Sequence, residues 1–190
     1  MQYKTSVRVS LLFLAFLFTR SFVYSAEELF ATRPVIAIWR DADRGSRVPS
    51  LRIAIWNDGR VLFAKDPKKW GQELLEGRID PDRVAEIKRA IAQTGVNELK
   101  GTCYLVPDAP VFCMMIDLGE KQQMLYWDER ENPNYGINIS PKPQHIAFKA
   151  CWKEVNKLAL AALPAQSQPY PGKFSHPPQS WRLKKQITSE

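Results

Sequence analysis

Cys103, Cys113 and Cys151, with His145 as the one histidine inside the folded region, are the residues best suited to nucleophilic chemistry. A thiol nucleophile needs a neighbouring base to lower its pKa and take its proton. His145 stands six residues before Cys151, which puts the two on roughly opposite sides of one helix. Nothing in the spacing directs His145 to either other cysteine, so no catalytic residue is assigned. Metal chemistry has equally little support. Asp41-Ala-Asp43-Arg-Gly45 begins like a calcium loop, but the later acids and closing glutamate are missing and Arg44 and Arg47 oppose a cation. Asp128, Glu129 and Glu131 form a second acidic group without a partner set, and the cysteines and histidines lack the paired spacing of a zinc site. There is no Gly-rich phosphate loop and no Gly-x-Ser-x-Gly elbow. No metal or cofactor is implied.

The cysteines suggest a structural use instead. If the loop between two adjacent strands is centred on Asp108, Cys103 and Cys113 fall opposite each other. Opposed residues at a non-hydrogen-bonded site have Cα atoms about 4.5 Å apart, within disulfide range. A Cys103–Cys113 bond is the expectation; a bond using Cys151, or three reduced buried thiols, are the alternatives.

Binding chemistry has one foothold, in the first hairpin. Leu51-Arg-Ile-Ala-Ile55 alternates and Asn57-Asp58-Gly59 precedes Arg60-Val-Leu-Phe-Ala64, a strong hairpin signal. With Gly59 in the left-handed position of a three-residue loop, Ile53 and Ile55 oppose Phe63 and Val61, collecting the large apolar residues on one face. Trp56 then falls beside Arg52 and Arg60 on the other face, a surface suited to stacking on sugars or docking a protein segment. The competing reading covers Trp56 with the Lys65–Leu75 connection, through Trp70.

These residues need a scaffold. Pro34-Val-Ile-Ala-Ile-Trp39 is apolar on both faces, as in a buried strand. Asp80-Pro81 reads as an N-cap followed by proline in the first turn. Val84, Ile87 and Ile91 continue at helical spacing until Thr94-Gly95, predicting a helix over residues 81–93. Thr102 to Val106, Val111 to Leu118 and Gln122 to Asp128 read as a three-strand antiparallel meander, and residues 144–163 as a closing helix ended by Pro164. The fold class is α+β: an antiparallel sheet of about six strands with two helices packed on one face.

The ends carry addresses rather than chemistry. Lys4 and Arg8, the apolar run from Val9 to Phe18 and the small residues about Ser25 have the form of a secretory signal peptide over residues 1–25. The run is shorter than the roughly 20 residues that cross a bilayer, and cleavage is expected before Ala26 or Glu27. The chain is therefore expected to be extracytoplasmic, secreted or periplasmic, and not integral to a membrane. Losing Lys4, Arg8 and Arg20 lowers the net charge from +7 to +4, too modest to indicate a specific nucleic acid. Residues 26–33 form a short lead and residues 34–163 a single domain. Residues 164–190, with Pro164, Pro169, Pro171, Pro177 and Pro178 and almost no aliphatic side chains, read as a disordered, Pro-rich basic tail. Its Tyr170, Phe174 and Trp181 among basic residues suit lying on an anionic surface or stacking on a nucleic acid, against the alternative of a solvated tail.

The layout over residues 34–162, with its Asp-Gly hairpin, a Gly-x-Ile lead into an Asp-Pro helix, a Pro-Asp hairpin and a closing helix, resembles small exported bacterial domains of unassigned function. The resemblance implies this fold and carries over no functional residue. The functional expectation is an exported, non-catalytic binding or interaction domain, its partner an envelope protein or polysaccharide. The alternative is an extracytoplasmic, hydrolase-like enzyme with a site assembled from distant residues.

Overall fold

The computed structural model describes residues 32–40, 50–66, 73–99, 102–103, 111–119, 121–128, 143–172, 174 and 181. The signal segment, the Asp41–Gly45 loop, Trp70, Glu129 and Glu131 lie outside them. Eight strands form one sheet: β1 (Ile36–Arg40), β2 (Ser50–Ile55), β3 (Arg60–Ala64), β4 (Leu74–Arg78), β5 (Thr102–Cys103), β6 (Val111–Asp117), β7 (Gln122–Asp128) and β8 (Ser167–Tyr170). Among the described residues two α-helices, α1 (Pro81–Ala92) and α2 (Pro143–Leu160), and a short 3-10 helix at Val96–Glu98 accompany the sheet. The strand order is β5-β7-β6-β1-β2-β3-β4-β8. Every neighbouring pair is antiparallel except β5 with β7, which is parallel.

The α+β arrangement follows from the apolar pattern. Ile36 and Ile38 of β1, Ile53 and Ile55 of β2, Val61 and Phe63 of β3 and Phe112, Met114 and Ile116 of β6 share one face. They pack with Val84, Ile87 and Ile91 of α1 and Phe148, Cys151, Trp152, Val155 and Ala159 of α2. Both helices thus cover the same side of the sheet, because each carries a single apolar stripe that a flat surface can bury. Asp80 caps α1 by accepting a hydrogen bond from the Asp82 backbone N–H at 2.9 Å, and Pro81 occupies the first turn. The chain leaves α1 through Gly95, at φ 78°.

The hairpin has the register that its apolar residues demand. Ile53 opposes Phe63 and Ile55 opposes Val61. The Trp56 backbone N–H donates to the Arg60 carbonyl at 2.9 Å, which leaves Asn57, Asp58 and Gly59 as the three-residue loop.

The meander is not continuous. β6 and β7 are antiparallel neighbours, but β5 lies beyond β7 and runs parallel to it, with Thr102 opposite Tyr126 and Cys103 opposite Trp127. Cys113 sits opposite Tyr126 on the far side of β7. Two inter-strand steps of about 4.8 Å separate the β5 and β6 backbones, beyond the roughly 7 Å Cα limit of a disulfide. The expected Cys103–Cys113 bond therefore does not form, and no disulfide occurs among the described residues. The pairing argument failed because it assumed that consecutive strands are sheet neighbours.

A larger correction concerns the C-terminal segment. Ser167–Tyr170 adds to the edge of β4 as strand β8, with Leu74 opposite Tyr170 and Gly77 opposite Ser167. Phe174 and Trp181 are buried as deeply as any core residue. These described parts of residues 164–190 are part of the fold. Composition misled because a segment with few aliphatic residues can still be ordered when its rings have a preformed apolar face to cover.

Candidate interaction surface

The second face of the sheet carries a cluster of its own. Ala37 and Trp39 from β1, Leu51 and Ala54 from β2, Trp56, Leu62 from β3, Leu74 from β4 and Cys113 and Met115 from β6 are all buried there. Their cover comes from Tyr170, Phe174 and Trp181. Trp181 lies edge-on to two tryptophans, with ring centroids 6.3 Å from Trp39 and 6.0 Å from Trp56, and packs at a tilt on Phe174 at 5.9 Å. Edge-to-face contacts at these separations suit the aromatic quadrupole. We call β8 together with Phe174 and Trp181 the strap.

This arrangement revises the surface expected at Arg52, Trp56 and Arg60. Trp56 is only 2% exposed, and its indole N–H donates to the Thr32 carbonyl at 3.0 Å. Trp56 is a core residue under the strap, so its ring offers no open stacking face among the described residues. Arg60 does come to it: the guanidinium lies 5.5 Å from the Trp56 ring centroid, while its Nε pairs with Asp58 at 2.7 Å and its Nη2 donates to Thr32 Oγ1 at 3.0 Å. A cation held on a ring by two further contacts is a packing device at the rim of the cluster.

Arg52 goes elsewhere. Between β1 and β2 the register slips, with Ile38 opposite Ile53 but Trp39 opposite Leu51, so Arg52 is the extra residue of a bulge. A bulge reverses the alternation beyond it. Leu51 accordingly joins Trp39 in the outer cluster, while Arg52 Nη1 donates to Asn156 Oδ1 of α2 at 3.3 Å. The three residues that the alternating pattern grouped are divided between the two sides of the sheet.

Of the residues considered for thiol chemistry, the side chains of Cys103 and His145 lie outside the described residues, and Cys151 can be followed. Cys151 is buried and its thiol shares a 3.4 Å hydrogen bond with Thr94 Oγ1. Burial pushes its pKa up, with the Thr94 contact opposing, the wrong direction for a thiolate nucleophile. No group of three or more potential metal ligands occurs among the described residues. None of the described helices is long and apolar enough to cross a membrane. Comparisons with protein-family models, curated proteins and solved structures gave no match.

What the structure adds is a docking geometry that the alternating pattern could not reveal. The sheet accepts an extended segment at the β4 edge and then a succession of rings across its outer face. The strap's ends are fixed by different forces. At β8, Gln168 Nε2 donates to Glu76 Oε1 at 2.6 Å beside the backbone ladder. At the far end, ring packing around Trp181 dominates.

Tyr170 joins the two, and it makes the strap sensitive to alkali. Its hydroxyl pKa is pushed up to about 12, first by burial and then by the negative charge of Glu76. An unfolded tyrosine ionises near 10, so the folded chain holds this proton more tightly. The associated stability is complete below about pH 10 and is lost as pH rises toward the folded value. Tryptophan fluorescence should report loosening of the outer cluster between about pH 10 and 12, and Tyr170→Phe should abolish that transition. An unchanged alkaline transition in Tyr170→Phe would assign it to another group.

Proposed function

We propose that this chain is an exported, non-catalytic interaction domain whose docking surface is the β4 edge together with the outer sheet face. The observation that carries the reading is the strap itself: an extended segment that adds a strand to an edge and seats Tyr170, Phe174 and Trp181 on an apolar face. Strand addition supplies backbone hydrogen bonds while side-chain pockets supply selectivity, the logic of many peptide-recognition modules. Because a polypeptide segment fills the face, the reading favours an envelope polypeptide over a polysaccharide as partner. The apolar run and small residues of the N-terminal segment support export. The ligand chemistry follows from the segment in place: extended backbone, then aromatic anchors.

The test keeps the whole chain. A protease site inserted between Ala165 and Gln166, both exposed, allows the strap to be cut after folding. A fluorescent peptide of residues 166–190 should then exchange into the cut protein, and the same peptide with Trp181→Ala should bind at least about tenfold more weakly, as for an anchoring aromatic. If the cut chain keeps its circular dichroism yet takes up no peptide, or takes up both peptides equally, the docking reading fails.

A further inference from the structure

The helix side of the sheet carries charge that the fold does not use. On α1 the outward residues Asp82, Arg83, Glu86 and Arg89 lie away from the buried stripe of Val84, Ile87 and Ile91, and their charges cancel. Arg83 and Glu86 pair at 2.7 Å. On α2 the balance is different. Phe148, Cys151, Trp152, Val155 and Ala159 are its buried residues, and the opposite line of the helix reads Ile146, Ala150, Lys153 and Lys157. Spacings of four, three and four stack these residues on one face, and all of them are exposed. Lys149, half-buried, flanks the line, and Glu154 is the one acid in the helix. Glu154 meets Lys157 at 3.1 Å, with side chains 49% and 74% exposed, a pair worth little in water that leaves the lysine available.

Two further observations say what this face fits. The bulge in β2 sends Arg52 to the same flank, where its Nη1 donates to Asn156 Oδ1 at 3.3 Å. Asn156 stands two turns after Lys149 on the same flank of the helix, so the cationic excess of the helix side is concentrated along α2. Ile146, at the head of the line, is 60% exposed, the one large apolar side chain left in water among the described residues. An acidic polymer would use the lysines and leave Ile146 in water. A second copy of this face would set like charges against each other. An anionic phospholipid surface uses both features: lipid phosphates attract the lysines, whose long stems keep the ammonium groups at phosphate level, while an aliphatic side chain enters the boundary between headgroups and acyl chains.

We propose that the outward face of α2 is a peripheral membrane-contact surface that settles on an anionic phospholipid bilayer, with Ile146 entering the headgroup layer and Lys149, Lys153 and Lys157 meeting lipid phosphates. This surface lies on the other side of the sheet from the strap and stands or falls apart from the docking reading. Its attraction is mainly electrostatic, so it is reversible and weakens with salt.

A probe on α2 in the full chain reads this face alone, whatever else in the chain meets lipid. An environment-sensitive fluorescent amino acid is encoded in place of Ala150, between Ile146 and Lys153, and the protein is titrated with vesicles of phosphatidylcholine alone or of equal parts phosphatidylcholine and phosphatidylglycerol. A blue shift of the probe at no more than about one tenth of the lipid is expected with the mixed vesicles, and salt at about 1 M should reverse it. Lys153→Gln/Lys157→Gln should raise the lipid required by about tenfold or more, and Ile146→Ser by about threefold or more. All three side chains are exposed, so the variants should keep the parent's thermal midpoint. Equal responses to the two kinds of vesicle, or none to either, would overturn the proposal. So would a shift produced equally by dextran sulfate and indifferent to Ile146→Ser, which would assign the face to an acidic polymer. The strap is unchanged in every variant, so each of these failures leaves the docking reading as it was.

Discussion

Trp181→Ala is expected to remove about 3–5 kcal/mol of stability, the range for truncating a fully buried aromatic. The side chain is 0% exposed and touches Trp39, Trp56 and Phe174, so its loss leaves a void bordered by three rings that cannot collapse together. In a chain of this length the thermal midpoint should fall by roughly 10 °C. The emission of Trp39 and Trp56 should shift to the red as water reaches them, while the helical signal is largely kept, because the helices belong to the other cluster. Trp181→Phe should recover part of the loss. A midpoint within a degree or two of the parent would mean that Trp181 does not cover the outer face in solution.

Gly59→Val should be similarly damaging, for a reason of backbone rather than packing. Gly59 has φ 83°, and a Cβ there would lie 2.0 Å from the Ile79 carbonyl oxygen. A β-branched residue is forced into the left-handed region at a cost of about 1–3 kcal/mol, and the clash adds to it. The Gly59 carbonyl also accepts the Ile79 N–H at 2.9 Å, so the hairpin turn clamps the entry to α1. A loss of at least about 3 kcal/mol in chemical denaturation is expected. Near-neutral behaviour would require a different loop conformation.

How far these features can be read in advance depends on whether their causes are local. The hairpin register was legible, because Gly59 selects the loop and the wrong register would put Ile53, Ile55, Val61 and Phe63 in water. α1 was legible for the same kind of reason: Asp80, Pro81 and the Val84–Ile87–Ile91 stripe all act within a few residues. β4 carries Glu76 and Gly77 and has no alternation to announce it, and β8 lies in a Pro-rich stretch, so a sheet of eight strands reads from sequence as about six. The β5 position was illegible because strand order depends on distant pairing. At Arg52 a single extra residue reversed the alternation, which divided a site that appeared continuous. The strap was hidden for the opposite reason, since Tyr170, Phe174 and Trp181 stand far apart among prolines and form a surface only when laid across β1 to β4.

Pro169, opposite Leu75 in the outermost strand, has a consequence for how such a sheet ends. Proline has no N–H to donate, and within sheets it is tolerated at an edge where that missing group faces outward. A ninth strand would meet a gap in the row of donors, so the ladder that binds β8 so readily on its inner side resists extension on its outer side. A protein that fastens extended segments to its own sheet is exposed to polymerisation by the same contacts. By carrying Pro169 within its outermost strand, the strap both completes the sheet and limits its growth.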